Sequence, residues 1–374
     1  MLLLEARSVR QYAVVVALAA GGSATAQTFG TVINLAFNQA QPDAIGSDTQ
    51  LNINGAILAD GFEAGPTDNS GFNIEVNLNS GAIGDDFDAH GGSVINLRSG
   101  TVGRNFRAHQ GSEVNIANAA SFLTVGTDFT AGSGSRVNLS SGQILSGFDI
   151  ETGAVVTATG GVIGNSFRAF SGAEAIIDGA SVGNNSFAYS GSLVTIRSGS
   201  IGTNFTAANG SEVHIEGGTI DAGFAAFADS KLMMSGGRVA DGFQAYRGAE
   251  VNLSGGDIGD NAKFYAGSTL MLYAQSATID GRDILGLGDP DGVDVLNMDA
   301  SEGTTYLVTE RGGAVLEAVL DDGTLFTFEL DSSNTSGDFI SSDASLIVRV
   351  SAIPAPGAVG VLAIAGGLAA RRRR

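Results

Sequence analysis

Phenylalanine returns along this chain with a fixed step, and that step limits the folds open to it. Phe87, Phe106, Phe129, Phe148, Phe167, Phe205, Phe224 and Phe243 are separated by 19, 23, 19, 19, 38, 19 and 19 residues. Ser186 stands at the midpoint of the 38-residue gap, and one further period lands on Ala262. The 23-residue gap reads as a single four-residue insertion near Asn118–Ser121. Self-similarity at a fixed short period is the signature of a repeat architecture.

A second column keeps the same step. Alternating apolar pairs follow each anchor by eight and ten residues, as in Ile95/Leu97, Val114/Ile116, Val213/Ile215 and Leu270/Leu272. Val76/Leu78 and, across a six-residue insertion, Leu51/Ile53 carry the series back to twelve rungs. A third apolar position recurs at Val102, Ile163, Val182, Ile201, Ile220, Val239 and Ile258, commonly with a glycine two residues ahead. Apolar residues spaced by two are short strands with one face inward. Three such strands joined at glycine corners make one coil. No proline, which would remove a donor from a strand ladder, occurs between Pro66 and Pro290. The expected fold class is therefore all-β: a single-stranded parallel β-helix over residues 46–276. About twelve coils would span roughly 55–60 Å at the usual strand spacing. Segments such as Ile201-Gly202-x-x-Phe205-x-Ala207 partly resemble the hexapeptide repeat of left-handed β-helices. That family places a small residue where this chain has Phe and keeps a shorter strict period, so a right-handed helix is the expectation.

Beyond Ala277 the period stops. Thr305–Thr309, Ala314–Val319, Leu325–Leu330 and Ser345–Val350 alternate as strands, with Asp321-Asp322-Gly323 as a hairpin turn between the middle two. Residues 277–351 are thus expected to form a small antiparallel module that covers the exposed edge of the last coil. Residues 27–45 are expected to cap the other end.

The two ends bear on destination. Arg7 and Arg10, an apolar run from Ala13 to Ala20 and the sequence Ala24-Thr25-Ala26 have the order of a signal peptide over residues 1–26, and the run is too short to span a bilayer. The chain has no cysteine, so an exported form would rely on its core rather than on disulfides. At residues 352–374, Ile353-Pro354-Ala355-Pro356-Gly357 precedes an apolar run from Ala358 to Ala370 and then Arg371, Arg372, Arg373 and Arg374. This tail resembles the PEP-CTERM sorting signal of bacterial exosortase substrates, with Ala355 where the central glutamate usually stands. The resemblance implies processing by an exosortase-type protease and a place on the cell surface or in the extracellular matrix. The formal net charge of −20 argues against nucleic acid as a partner, since phosphate backbones would be repelled.

Several outward columns could carry chemistry. Asn52, Asn77, Asn96, Asn115 and Asn138 follow one another, as stacked amides do. Glu212, Lys231 and Glu250 share a column, and Asp149 and Arg168 share another; both read as cross-strand ion pairs rather than as a catalytic carboxylate pair. His90 and His109 are stacked neighbours and His214 lies apart, too few ligands for a zinc site. Phe170, Tyr189, Phe227, Tyr246 and Tyr265 each fall three residues after an anchor position. They either form an outward stripe able to meet sugar rings or a partner chain, or turn in to fill a corner of the core. Asp289, Asp291 and Asp294 around Gly292 have the alternation of a Ca²⁺ loop, and no other cofactor is suggested. The leading functional expectation is an exported, non-catalytic surface or matrix protein. The alternative is a polysaccharide-binding or polysaccharide-cleaving β-helix of the pectate-lyase type.

Because each coil meets only its neighbours, the period itself can be tested. Deleting one period, Phe205 to Gly223, should leave a folded, shorter protein with a cooperative melt. Deleting ten residues from the same place should abolish folding, because inward and outward positions exchange beyond the cut.

Overall fold

The computed structural model describes residues 27–117, 122–299, 303–333 and 336–351. The repeat is a parallel β-solenoid, and its paired rungs keep the expected register. Val137 lies beside Val156, Val156 beside Ala175 and Ala175 beside Val194. The two insertions change the offset without breaking the ladder, with Val114 beside Val137 and Leu51 beside Val76. Each coil has three strand segments. In one coil these are Arg168–Ala169 after the anchor, then Glu174–Ile177 with the apolar pair, then Ser181–Val182 with the third apolar position.

All three inward columns are closed to solvent. The Phe anchors from Phe87 to Phe243 are fully buried, as are the pair positions from Leu51 to Leu272. In-register stacking places the rings over one another, with centroids 4.7 Å apart for Phe87–Phe106 and 4.6 Å for Phe106–Phe129. Ser186 holds its anchor place by donating its hydroxyl to the Gly183 carbonyl at 3.0 Å. Where the anchor column falls to Ala262, the ring moves two residues on: Phe264, in the column otherwise held by Ala226 and Ala245, packs against Phe243 at 5.8 Å. Similarly, Ile150 replaces alanine in the coil whose pair is the small Val156/Ala158. Volume is conserved per coil rather than per column, as close packing requires.

The corners explain the polar residues that precede the anchors. Asp86, Asn105, Asp128, Ser166, Asn185, Asn204 and Asn261 all have φ between 57° and 61°, and Gly147, Gly223 and Gly242 take the same place in the other coils. This left-handed turn suits Gly, Asn and Asp best. The neighbouring side chains tie coil to coil: Asp85 Oδ1 accepts from Arg104 N at 2.8 Å, and Asn165 Oδ1 from Asn184 N at 2.8 Å. At the corner after the pair, Gly199 has φ 88°, and a Cβ there would lie 2.2 Å from the Ala180 carbonyl oxygen.

Both ends are more solenoidal than the sequence suggests. Thr31–Ala36 is no separate cap; it lies parallel to Thr49–Leu58 as the first strand, and Asn34 extends the asparagine ladder by accepting from Asn52 at 2.9 Å. At the other end, Ser345–Val350 pairs parallel with Thr269–Ile279, and Phe339–Ile340 with Lys263–Phe264. These segments build a thirteenth turn, one more than expected, after an excursion out of the solenoid. The excursion is the antiparallel part. Gly312–Leu320 pairs with Thr269–Ile279 and with Leu325–Asp331, and Gly303–Val308 covers the far edge of Ser345–Val350. Phe328 from this module closes the ring stack against Phe264, 5.6 Å away. The expected signal peptide, the insertion at 118–121 and the tail bearing Pro354, Pro356 and Arg371 to Arg374 lie outside the described residues.

Val213 is fully buried, whereas Asn115 faces out and donates to Asn96 at 3.1 Å. Val213→Asp should cost more than about 4 kcal/mol by placing an unpaired charge in the stack. Asn115→Asp should cost about 1 kcal/mol, for one part-buried ladder bond. Denaturant midpoints of the two variants measure the difference.

Candidate functional site

The corner between the anchor strand and the pair strand gathers most of the molecule's distinctive side chains. On every coil the residue after the anchor points outward, and the residue three after the anchor stands at the bend. The outward column runs Asp88, Arg107, Thr130, Asp149, Arg168, Phe187, Thr206, Ala225, Gln244 and Lys263. The bend column runs His90, His109, Gly132, Glu151, Phe170, Tyr189, Ala208, Phe227, Tyr246 and Tyr265. The five aromatics singled out from the sequence are therefore on one line, and two histidines begin it.

These rings lie between solvent and core. Phe170, Tyr189, Tyr246 and Tyr265 are half-buried and Phe227 is exposed. They stack face to face: Phe170 on Tyr189 at 5.0 Å, Phe227 on Tyr246 at 4.7 Å and Tyr246 on Tyr265 at 5.0 Å. Parallel in-register strands impose this geometry, because equivalent side chains repeat at the rung spacing. The Tyr246 hydroxyl donates to Gln244 Oε1 at 2.7 Å, and the Arg168 guanidinium lies 5.7 Å from the Phe170 ring centre.

The histidines differ sharply in surroundings although their rings stack at 4.6 Å. His109 Nε2 meets Asp88 Oδ1 at 2.6 Å and is partly exposed. His90 is 5% exposed, and neither of its ring nitrogens has a hydrogen-bond partner. The insertion at 66–71 closes over it, with Asn69 Oδ1 accepting from Gly91 N at 2.9 Å. Burial pulls the His90 pKa below 6.5, and the neighbouring His109 adds to this, against opposing effects of Asp88 and Glu63.

Between His109 and Phe170 the ring line is interrupted for two rungs, at Gly132 and Glu151. Two adjoining clefts open there. One of about 270 Å³ is lined by Arg107, His109, Thr130, Gly132 and Glu151. The other, of about 480 Å³, is lined by Ser133, Asp149, Glu151, Thr152 and Phe170. Arg168 grips Asp149 with two hydrogen bonds of 2.6 and 2.7 Å. Burial nevertheless raises the Asp149 carboxyl above its ordinary value, outweighing the opposing pull of Arg168.

Other sequence-derived sites take ordinary roles. Glu212, Lys231 and Glu250 do lie side by side, but Lys231 is 4.0 Å from Glu250 and Glu212 instead meets His214 Nε2 at 2.7 Å. The asparagine column is a continuous amide ladder from Asn34 to Asn138. Asp289 and Asp291 sit in a single 3₁₀ turn, Asp291 is paired with Arg282 at 2.8 Å, and Asp294 lies in the next strand, Val293–Asp299. Among the described residues no group of three His, Cys, Asp or Glu is placed to hold a metal ion.

The cleft around Gly132 went unread in the sequence, although its signal was present: two successive residues without rings in a column where, of the other eight positions, Ala208 alone lacks one. No known protein family matches the chain, and no curated protein is significantly similar to it.

Between the folded-state pKa of His90 and 6.5, the unfolded chain binds a proton that the folded chain refuses, so stability falls as pH falls. Replacing this ring by an uncharged one, His90→Phe, should shrink the loss of melting temperature between pH 7.5 and 5.5 relative to the parent protein. An unchanged loss would show that His90 does not titrate this way.

Proposed function

We propose that the protein is an exported, non-catalytic surface or matrix solenoid that holds extracellular polysaccharide along its ring-bearing corner. The observation that carries this reading is the line of half-exposed stacked rings. It spans nine rungs from His109 to Tyr265, about 38 Å at the strand spacing, and bears rings on six of them. Flat apolar faces left in contact with water on a rigid support are what pyranose rings stack on, and the polar groups beside them suit hydroxyls. The parallel ladder fixes the ring positions before any ligand arrives, so little ordering entropy is lost on binding. The net charge of −20 favours neutral glycans over phosphate-bearing polymers. The resemblance of both chain ends to an export signal and a sorting tail agrees with a role outside the cell, with an exosortase-type protease as the processing partner.

A second reading, glycan cleavage, is favoured by the raised Asp149 carboxyl beside Arg168 in the cleft. One assay separates them. Retention on a panel of immobilised polysaccharides should fall at least tenfold in the triple variant Phe170→Ala, Tyr189→Ala, Tyr246→Ala, provided it keeps a cooperative melt. Retention that survives the triple variant would sink the ring-line proposal. Release of new reducing ends that disappears in Asp149→Asn would transfer the case to cleavage.

A further inference from the structure

Resting on that reading, we infer that the interruption at Gly132 and Glu151 is a seat for one sugar ring of a neutral glycan. The ring line has faces pointing into the gap from both sides, since His109 is backed by His90 and Phe170 by Tyr189. The two are three rungs apart, about 14 Å, which leaves room for a ring to continue the stack. The rung at Gly132 cannot be filled by the protein itself. A Cβ there would lie 2.6 Å from the Ala108 carbonyl oxygen, so any side chain would displace backbone. The Glu151 carboxylate leans toward that space: Oε2 accepts from Ser133 N at 3.3 Å and lies 3.7 Å from where the missing Cβ would be.

The groups around the seat are matched to a polyol. The Arg107 side chain is exposed on the anchor strand and has no ion pair or hydrogen bond among the described residues, unlike that of Arg168 three rungs on. Arg107 supplies donors, Glu151 supplies acceptors, and Thr130 a hydroxyl that does either. One cation and one anion on the same cleft leave no net charge to select an ionic ligand. Vicinal hydroxyls use both signs, donating to the carboxylate and accepting from the guanidinium. An acidic sugar would meet Glu151 and the acidic body of the molecule, with no second Arg or Lys lining the two clefts to offset them. The seat therefore takes a neutral hexopyranose, and the ring line on either side extends contact to longer chains.

Glu151→Tyr tests the seat, because a ring at that exposed position fills one of the two open rungs and removes the carboxylate that accepts from the sugar hydroxyls. Calorimetric titration would use neutral trisaccharides of glucose, galactose and mannose, with a uronic acid trisaccharide for comparison. At least one neutral trisaccharide should bind the parent protein and weaken tenfold or more in Glu151→Tyr. The same loss is expected in Arg107→Ala, which removes no buried group. Polymer retention through Tyr189, Phe227 and Tyr246 should persist in both variants. Failure of every neutral trisaccharide to bind, or binding indifferent to both substitutions, overturns the seat while leaving the ring-line reading intact. Preference for the uronic trisaccharide overturns the neutral class. Loss of polymer retention in the parent protein overturns the parent reading instead.

Discussion

Everything in this molecule depends on the in-register parallel pairing of one coil with the next. Each strand segment contributes only two to five residues to a rung, too few to stand alone, so a coil exists only as the neighbour of another coil. Pairing at a constant offset means that a residue meets its own counterpart one period away. The column, not the individual residue, is the unit of stability. Phe over Phe, Ile over Val and Asn over Asn are each self-compatible, and the core is a set of such columns.

That constraint dictates how variation is absorbed. A missing ring at Ala262 is replaced at Phe264, and a large Ile150 is balanced by a small pair in the same coil. Insertions change the pairing offset between neighbouring coils without shifting the register of the rungs. The same logic governs the far end. The chain leaves the solenoid, builds an antiparallel sheet, and returns to lay down Phe339–Ile340 and Ser345–Val350 as one more turn. Phe328 then finishes a ring stack that would otherwise end with a bare aromatic face in water.

Surface chemistry inherits the column rule. Any residue type tolerated outward is repeated at the rung spacing, which turns single rings into a line and single amides into a ladder. A site on such a body is most visible as a break in a column. The gap between His109 and Phe170 is such a break, and it is the place where an unpaired arginine, a threonine and a glutamate share one cleft. His90 shows the opposite arrangement: the line continues, but a loop shuts over it and leaves its nitrogens without partners.

The period, the inward columns and the antiparallel strands near Gly312–Asp331 were readable from residue order, because alternation and spacing are local properties that stacking merely repeats. The hairpin at Asp321–Gly323 and the ion pair between Asp149 and Arg168 followed from the same arithmetic. Three matters were not readable. Nothing in the spacing of Ser345–Val350 reveals that it lies parallel to Thr269–Ile279, since an alternating strand serves either direction equally well. The aspartate loop could not announce that Arg282 would take Asp291. And the bend column could be placed inside or outside only by the course of the backbone at the corner, which left its rings half-covered. Pairing partner, direction and the turning of a bend are set by contacts between residues far apart in the chain, and only the tertiary structure brings those residues together.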